Sequence, residues 1–144
     1  MDTYNNTYPK TYIAPGMVLK GSISSAGDVE VAGCVDGDIF SQGTVILRNN
    51  VRGNITTHSL LLVDCTLRGD LSADGRVEIS AGSTVEGTIQ AGELLCAGTI
   101  RGNVTVGGDS TMESTSWIEG DVETTTLSMI RGAHLCGRLT MGTD

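Results

Sequence analysis

Residues 19–23, Leu19-Lys20-Gly21-Ser22-Ile23, are the first copy of a five-residue pattern: aliphatic, variable, glycine, variable, aliphatic. The pattern occurs eight times, and its central residues are Gly21, Gly37, Gly53, Gly69, Gly87, Gly102, Gly120 and Gly137. Successive glycines lie 15–18 residues apart. A unit of that length is too short for a helix plus a strand. It fits one turn of a β-solenoid, in which each turn buries its apolar face by stacking on its neighbours.

Around each glycine, apolar residues recur in pairs two positions apart, which is the period of a strand. Glycine and β-branched residues dominate the repeats, and both disfavour helix. Three short strands per repeat predict an all-β fold, a three-sided parallel β-helix of about eight turns. We expect the β-helix to cover residues 13–141, between a flexible tail at 1–12 and a short tail at 142–144.

The residues eight positions before the glycines are predicted to face the interior; they include Ile13, Leu61 and Met112. Two repeats place the equivalent pair two residues earlier, which indicates a longer corner: Val77 with Ile79, and Leu127 with Met129.

The residues that precede the glycines provide an independent check of this register. In order they are Lys20, Asp36, Arg52, Arg68, Glu86, Arg101, Glu119 and Cys136. Parallel stacking would bring neighbours in this series to ~4.8 Å, where opposite charges attract and like charges repel. Nearly all charged neighbours have opposite signs, which favours the proposed alignment of turns.

Composition narrows the possible partners. The net charge of −8 argues against nucleic acid and anionic lipid, because both reward clusters of Lys and Arg. The first twelve residues carry one lysine, Lys10, and no hydrophobic cluster, so direct membrane binding is not expected. The four cysteines, Cys34, Cys65, Cys96 and Cys136, form no CxxC pair, and no secretion signal follows Met1, which together indicate a reducing cytoplasm.

The ends of the predicted solenoid lack a recognisable cap. Monomeric solenoids cover their terminal turns with polar caps or helices, whereas here only an irregular tail and three final residues flank the repeats. We expect the first turn to expose Ile13, Leu19 and Ile23. We expect the last turn to expose Leu127, Met129, Leu135, Leu139 and Met141. These two sets predict self-association through the terminal turns.

Two stretches carry a resemblance to a known family: residues 11–23, TYIAPGMVLKGSI, and residues 28–39, DVEVAGCVDGDI. Together with the later repeats they resemble the bactofilins. The resemblance implies a right-handed, three-sided β-helix that assembles without nucleotide into non-polar filaments, bundles or sheets. It also implies a bacterial cytoskeletal scaffold for cell-wall or motility proteins, placed at the inner face of the cell membrane through its partners.

Two other classes of protein are possible. Acyltransferases built from hexapeptide repeats are also β-helices, but they need a catalytic histidine, and both His58 and His134 fall at predicted corners. Cys34 and His134 lie in turns at opposite ends, so they are not expected to share a metal ion. We therefore predict no catalytic, metal or cofactor site. The second alternative is a dimeric β-helical interaction module that does not polymerise.

Overall fold

The computed structural model describes residues 10–141, and within them the chain consists of parallel strands without a helix. The strands are β1 (Lys10–Ile13), β2 (Val18–Lys20), β3 (Ile23–Ser25), β4 (Asp28–Val31), β5 (Cys34–Asp36), β6 (Ile39–Ser41), β7 (Thr44–Leu47), β8 (Val51–Arg52), β9 (Ile55–Thr57), β10 (Ser59–Leu62), β11 (Thr66–Arg68), β12 (Leu71–Ala73), β13 (Arg76–Ile79), β14 (Thr84–Glu86), β15 (Ile89–Ala91), β16 (Glu93–Cys96), β17 (Thr99–Arg101), β18 (Val104–Met112), β19 (Trp117–Glu119), β20 (Val122–Met129), β21 (His134–Cys136) and β22 (Leu139–Met141).

Each turn contributes strands to three stacks. The first stack contains β1, β4, β7, β10, β13, β16 and the second halves of β18 and β20. The second stack contains β2, β5, β8, β11, β14, β17, β19 and β21. The third contains β3, β6, β9, β12, β15, the first halves of β18 and β20, and β22. The chain is therefore a β-solenoid of about eight turns, as the repeat predicted. Its hand and three-sided cross-section stay predictions.

The core is a column of aliphatic side chains that point inward from all three stacks. Each contributes ~1.5–3 kcal/mol gross when fully buried. One inward position per turn, at the end of a third-stack strand, holds Ser, Thr or Ala in six of the eight turns. Where it is Ser41 or Thr57, the hydroxyl donates to a corner carbonyl, to Gly27 at 2.7 Å and to Gly43 at 2.9 Å. Small residues there let the backbone turn the corner without leaving a buried carbonyl unsatisfied.

The eight repeat glycines form a column of their own. All eight have positive φ, from +131° to +154°, a region that L side chains rarely adopt. A Cβ at Gly69 would collide with the carbonyl oxygen of Gly53 in the turn before, and the same collision recurs at each repeat glycine after Gly21. Glycine is thus required by the backbone conformation and by the contact between turns.

The residues that follow the glycines have side-chain oxygens that accept hydrogen bonds from backbone N–H groups of the next turn. The Asp38 carboxylate accepts the N–H of Asn54 at 3.0 Å, and the Asn54 side-chain oxygen accepts the N–H of Asp70 at 3.1 Å. Asp70 accepts the N–H of Thr88 in the same way at 3.2 Å. Sequence analysis did not anticipate this ladder, which explains why Asp and Asn recur at this position.

The structure corrects three details of the predicted register. Leu61 faces outward, because β10 pairs it with Ile46 and buries Leu60 and Leu62 instead. Ile13 and Met112 are buried but occupy the second inward position of their strands, where they pair with Val31 and Cys96.

The boundary of the solenoid also differs from the prediction. β1 begins at Lys10, three residues before the expected start at residue 13. The rest of the two predicted tails, residues 1–9 and 142–144, lies outside the described residues.

Gly69→Ala should destabilise the solenoid strongly. The positive φ alone costs an alanine ~1–3 kcal/mol, and the clash with the Gly53 carbonyl adds to that cost. Urea unfolding followed by circular dichroism measures the change. The matched control is Gly107→Ala, where a Cβ meets nothing within 4 Å; its stability should be unchanged or slightly raised. Equal stabilities for the two variants would contradict the role of the glycine column.

Candidate assembly interfaces at the two ends of the solenoid

The last turn exposes apolar side chains at positions that are buried in the second to seventh turns. Leu139 pairs in register with Val122, and Met141 pairs with Thr124. Val122 and Thr124 are 2% and 1% exposed, whereas Leu139 and Met141 are 38% and 41% exposed. The positions are equivalent, so the difference arises because no further turn within residues 10–141 covers the last one.

The first-stack strand of the last turn behaves in the same way. Met129 is 45% exposed, although Met112, its partner in the preceding turn, is fully buried. Leu127 and Leu135 are half-buried and pack on the core. Ile130, which sequence analysis did not select, is 47% exposed next to Met129. The sequence could have indicated it, because Met129 and Ile130 are adjacent apolar residues at a corner of the last repeat.

In the first turn, the apolar residues predicted to be exposed are more buried than expected. Ile13 and Ile23 are 6% and 8% exposed, and Leu19 is half-buried. The expectation that all three would be exposed is wrong for Ile13 and Ile23, because their side chains pack into the core shared with the second turn. The large apolar residues that this turn does expose are Tyr12, Met17 and Val18.

Both ends nevertheless present strand edges without a partner among the described residues. In the first turn β1, β2 and β3 pair only with β4, β5 and β6, and in the last turn β21 and β22 pair only with β19 and β20. A Cβ at Gly21 would meet nothing within 4 Å, whereas each later repeat glycine stands over another. An open edge of this kind is a template for adding another strand.

Along the second stack, the predicted charge ladder is present and confirms the alignment of turns. The Arg68 Nε atom lies 3.5 Å from a Glu86 carboxylate oxygen, and Arg101 lies 3.9 Å from both Glu86 and Glu119. These pairs are solvent-exposed, so each is worth only ~0.2–1 kcal/mol. They select the register more than they stabilise the fold.

Both histidines are exposed; His58 lies at a corner, as predicted, whereas His134 is the first residue of strand β21. The His58 Nδ1 atom is 4.0 Å from an Asp74 carboxylate oxygen. His134 stacks on Trp117, with ring centroids 4.9 Å apart. Cys34 and His134 are in β5 and β21, at opposite ends of the second stack. Across residues 10–141, no three His, Cys, Asp or Glu side chains are grouped as a metal site would require.

The comparison with protein families identifies the chain. The model of a polymer-forming cytoskeletal family, Bactofilin, matches residues 47–140, which is more than half of the sequence. The chain belongs to the bactofilin family. The search of curated proteins and the search of solved structures each found no match. The part of the chain that the structure describes contains no helix able to cross a membrane.

Among the thiols of this bactofilin, two are buried and two are exposed. Cys96 is fully buried and fills the core, and Cys65 is also buried. Burial raises the pKa of both thiols to about 11, because a thiolate would lose its solvation there. Cys34 and Cys136 are exposed.

The buried thiols predict a loss of stability at high pH. Their ordinary pKa is 9.0. Below that pH both the folded and the unfolded states keep the protons. Between about pH 9 and 11 only the unfolded state releases them, so the free energy of unfolding falls by up to ~1.4 kcal/mol per pH unit for each thiol. Urea titrations from pH 8 to 11 measure this slope. A Cys65→Ala/Cys96→Ala variant should lose that contribution, and an identical slope in the variant would contradict it.

Proposed function

We propose that this bactofilin is a non-enzymatic cytoplasmic scaffold that polymerises end to end, without nucleotide, through its terminal turns. Membership of a polymer-forming cytoskeletal family supports self-association. The observation that carries the proposal is the exposure of the last turn: Leu139 and Met141 occupy core positions and are left uncovered. Stacking a second solenoid on this turn would bury them and continue the core.

The C-terminal interface consists of Leu127, Met129, Leu135, Leu139 and Met141, to which the structure adds Ile130. At the N-terminal end, the interface consists of the half-buried Leu19 and the exposed Met17 and Val18, which lie over the buried Ile13 and Ile23. The strand edges provide hydrogen-bonding groups, and the apolar side chains provide burial. Because the charges lie on the sides of the solenoid, the end contact is driven by apolar burial and needs no bound nucleotide.

The filaments are proposed to be non-polar. In such a filament the last turn meets the last turn of the next molecule, and the first turn meets a first turn, so each contact is two-fold symmetric. The proposal follows the resemblance described above. A filament of this kind would present the same lateral surfaces repeatedly along its length, which suits a scaffold that places cell-wall or motility proteins at the inner face of the membrane.

Leu139→Arg should abolish filaments while leaving the solenoid folded. The arginine would be buried without a partner in the contact between last turns, which is strongly unfavourable. Thr140→Arg is the matched control, because it adds the same charge one residue away at a position that pairs with the outward-facing Glu123. Negative-stain microscopy of purified protein without nucleotide gives the result. Filaments of normal length from Leu139→Arg would remove the last turn from the interface.

The mass of the Leu139→Arg product tests the polarity of the filament. If first turns also contact each other, the variant should form particles of two chains, about 30 kDa for a chain of 15.0 kDa. A polar, head-to-tail filament would instead yield single chains. Analytical ultracentrifugation separates the two. A wild-type protein that stays as a discrete dimer at all concentrations would contradict polymerisation and favour an interaction module.

A further inference from the structure

The outward face of the first stack is unlike the outward faces of the other two. Its central column follows the registered pairs of consecutive turns and reads Tyr12, Glu30, Ile46, Leu61, Glu78, Leu95, Thr111 and Ser128. Ile46, Leu61 and Leu95 are half-buried on this face and Tyr12 is exposed. The second stack shows the charge ladder outward. The third shows mainly polar residues: Ser24, Phe40, Thr56, Ser72, Gln90, Thr105, Glu123 and Thr140.

The first six positions of this column are symmetric about their midpoint. From the middle toward the N-terminal end the order is apolar, Glu, apolar: Ile46, Glu30, Tyr12. From the middle toward the C-terminal end it is again apolar, Glu, apolar: Leu61, Glu78, Leu95. If a second copy is turned end over end and placed against this face, each residue of the pattern therefore faces a residue of the same kind.

The flanking column on the same face has matching charges. Asp28 in the second turn and Arg76 in the fifth turn are equidistant from the midpoint, and both are exposed. Thr44 and Ser59, on either side of the midpoint, are polar and uncharged. Inverting one copy therefore brings Asp28 opposite Arg76, and by symmetry Arg76 opposite Asp28.

From this pattern we infer that the outward face of the first stack is a lateral interface between two copies of this chain, which lie side by side and antiparallel. The two-fold axis lies between the faces, parallel to the strands, at the level between Ile46 and Leu61. It sets Ile46 against Leu61 and Tyr12 against Leu95, and it forms two Asp28–Arg76 pairs. This inference concerns the side of the solenoid and does not rest on the end contacts.

The glutamates do not prevent this pairing. Glu30 lies opposite Glu78, but each has an arginine of its own chain beside it. The Arg48 Nε atom is 3.1 Å from a Glu30 carboxylate oxygen, and the Arg76 Nε atom is 3.3 Å from a Glu78 carboxylate oxygen. Each of the two contacts thus brings together three carboxylates, of Asp28, Glu30 and Glu78, and two guanidinium groups, and Arg76 lies between Glu78 of its own chain and Asp28 of the other. A parallel arrangement would also oppose glutamates, each to its own copy, but would set Asp28 against the corner residue Ala32 and lose the charge pairs.

The size of the surface predicts when lateral pairing occurs. Six turns at ~4.8 Å give a strip about 29 Å long, and a face only a few residues wide buries less than the ~800 Å² per partner of a standard interface. A single pair of chains should therefore associate weakly. In a filament the same face repeats in every subunit, so the contacts act together and the effective affinity rises.

Cross-linking tests the antiparallel arrangement directly. In a Cys34→Ser/Cys136→Ser background, Tyr12→Cys and Leu95→Cys variants of different mass are mixed and treated with a short bismaleimide. Tyr12 and Leu95 are five turns apart in one chain but face each other in the inferred pair, so the mixed product should exceed the control severalfold. The control is Ser24→Cys mixed with Thr105→Cys, which lie in the same two turns on the third stack. A mixed product no greater than in the control would overturn the inference.

Filament width provides a second test that separates this surface from the ends. Leu61→Lys would bury a charge against Ile46 of the other copy, so filaments should be one solenoid wide and of unchanged length. Thr56→Lys, on the third stack, should remain paired like the wild type. Leu139→Arg, by contrast, is expected to abolish the filaments by blocking the end contact. Wild-type filaments of single width, or Leu61→Lys filaments as wide as the wild type, would contradict lateral pairing, whatever the outcome for the ends.

Discussion

The close approach of consecutive turns at the glycine column is the constraint on which this structure depends. Each repeat glycine after the first stands over the carbonyl of the glycine before it, at a distance that a Cβ would not allow. Because that corner holds the turns in register, the inward aliphatic residues pack on one another, the charges on the second stack pair, and the Asp and Asn side chains reach the backbone of the next turn. The glycine column therefore sets how closely consecutive turns approach each other.

In a stack of this kind, every turn presents the same core positions to the turn that follows it. Each turn buries its core residues against the next one, and among the described residues no turn follows the last. Leu139 and Met141 therefore occupy normal core positions of a repeat, and they are exposed because no further described turn covers them. The two ends are not equivalent, because Ile13 and Ile23 remain buried in the first turn. Of the two ends, the C-terminal one has more apolar surface to lose on assembly.

The sides and ends of the solenoid are governed by different side chains. Residues that face inward determine what the ends expose, whereas residues that face outward form the lateral surfaces. Strand alternation keeps the two sets apart, since adjacent residues of one strand point to opposite sides. A substitution on a lateral surface, as at Leu61, therefore leaves the end surface at Leu139 unchanged. This separation suits a family whose members form polymers.

The sequence by itself determined the period, the number of turns, the all-β class and the charge ladder, because each of these repeats with the glycines. The corners were decided only in the folded chain. Between Gly53 and Gly69 the spacing is 16 residues, as in the turns before it. Compared with the turn before it, however, this turn has one corner that is a residue shorter, at His58-Ser59. A second corner is a residue longer, at Asp64, which adopts a positive φ of 49°. The two changes cancel in the count and turn Leu61 outward. Spacing records the sum of the corner lengths, whereas the side to which a strand residue points depends on each corner separately.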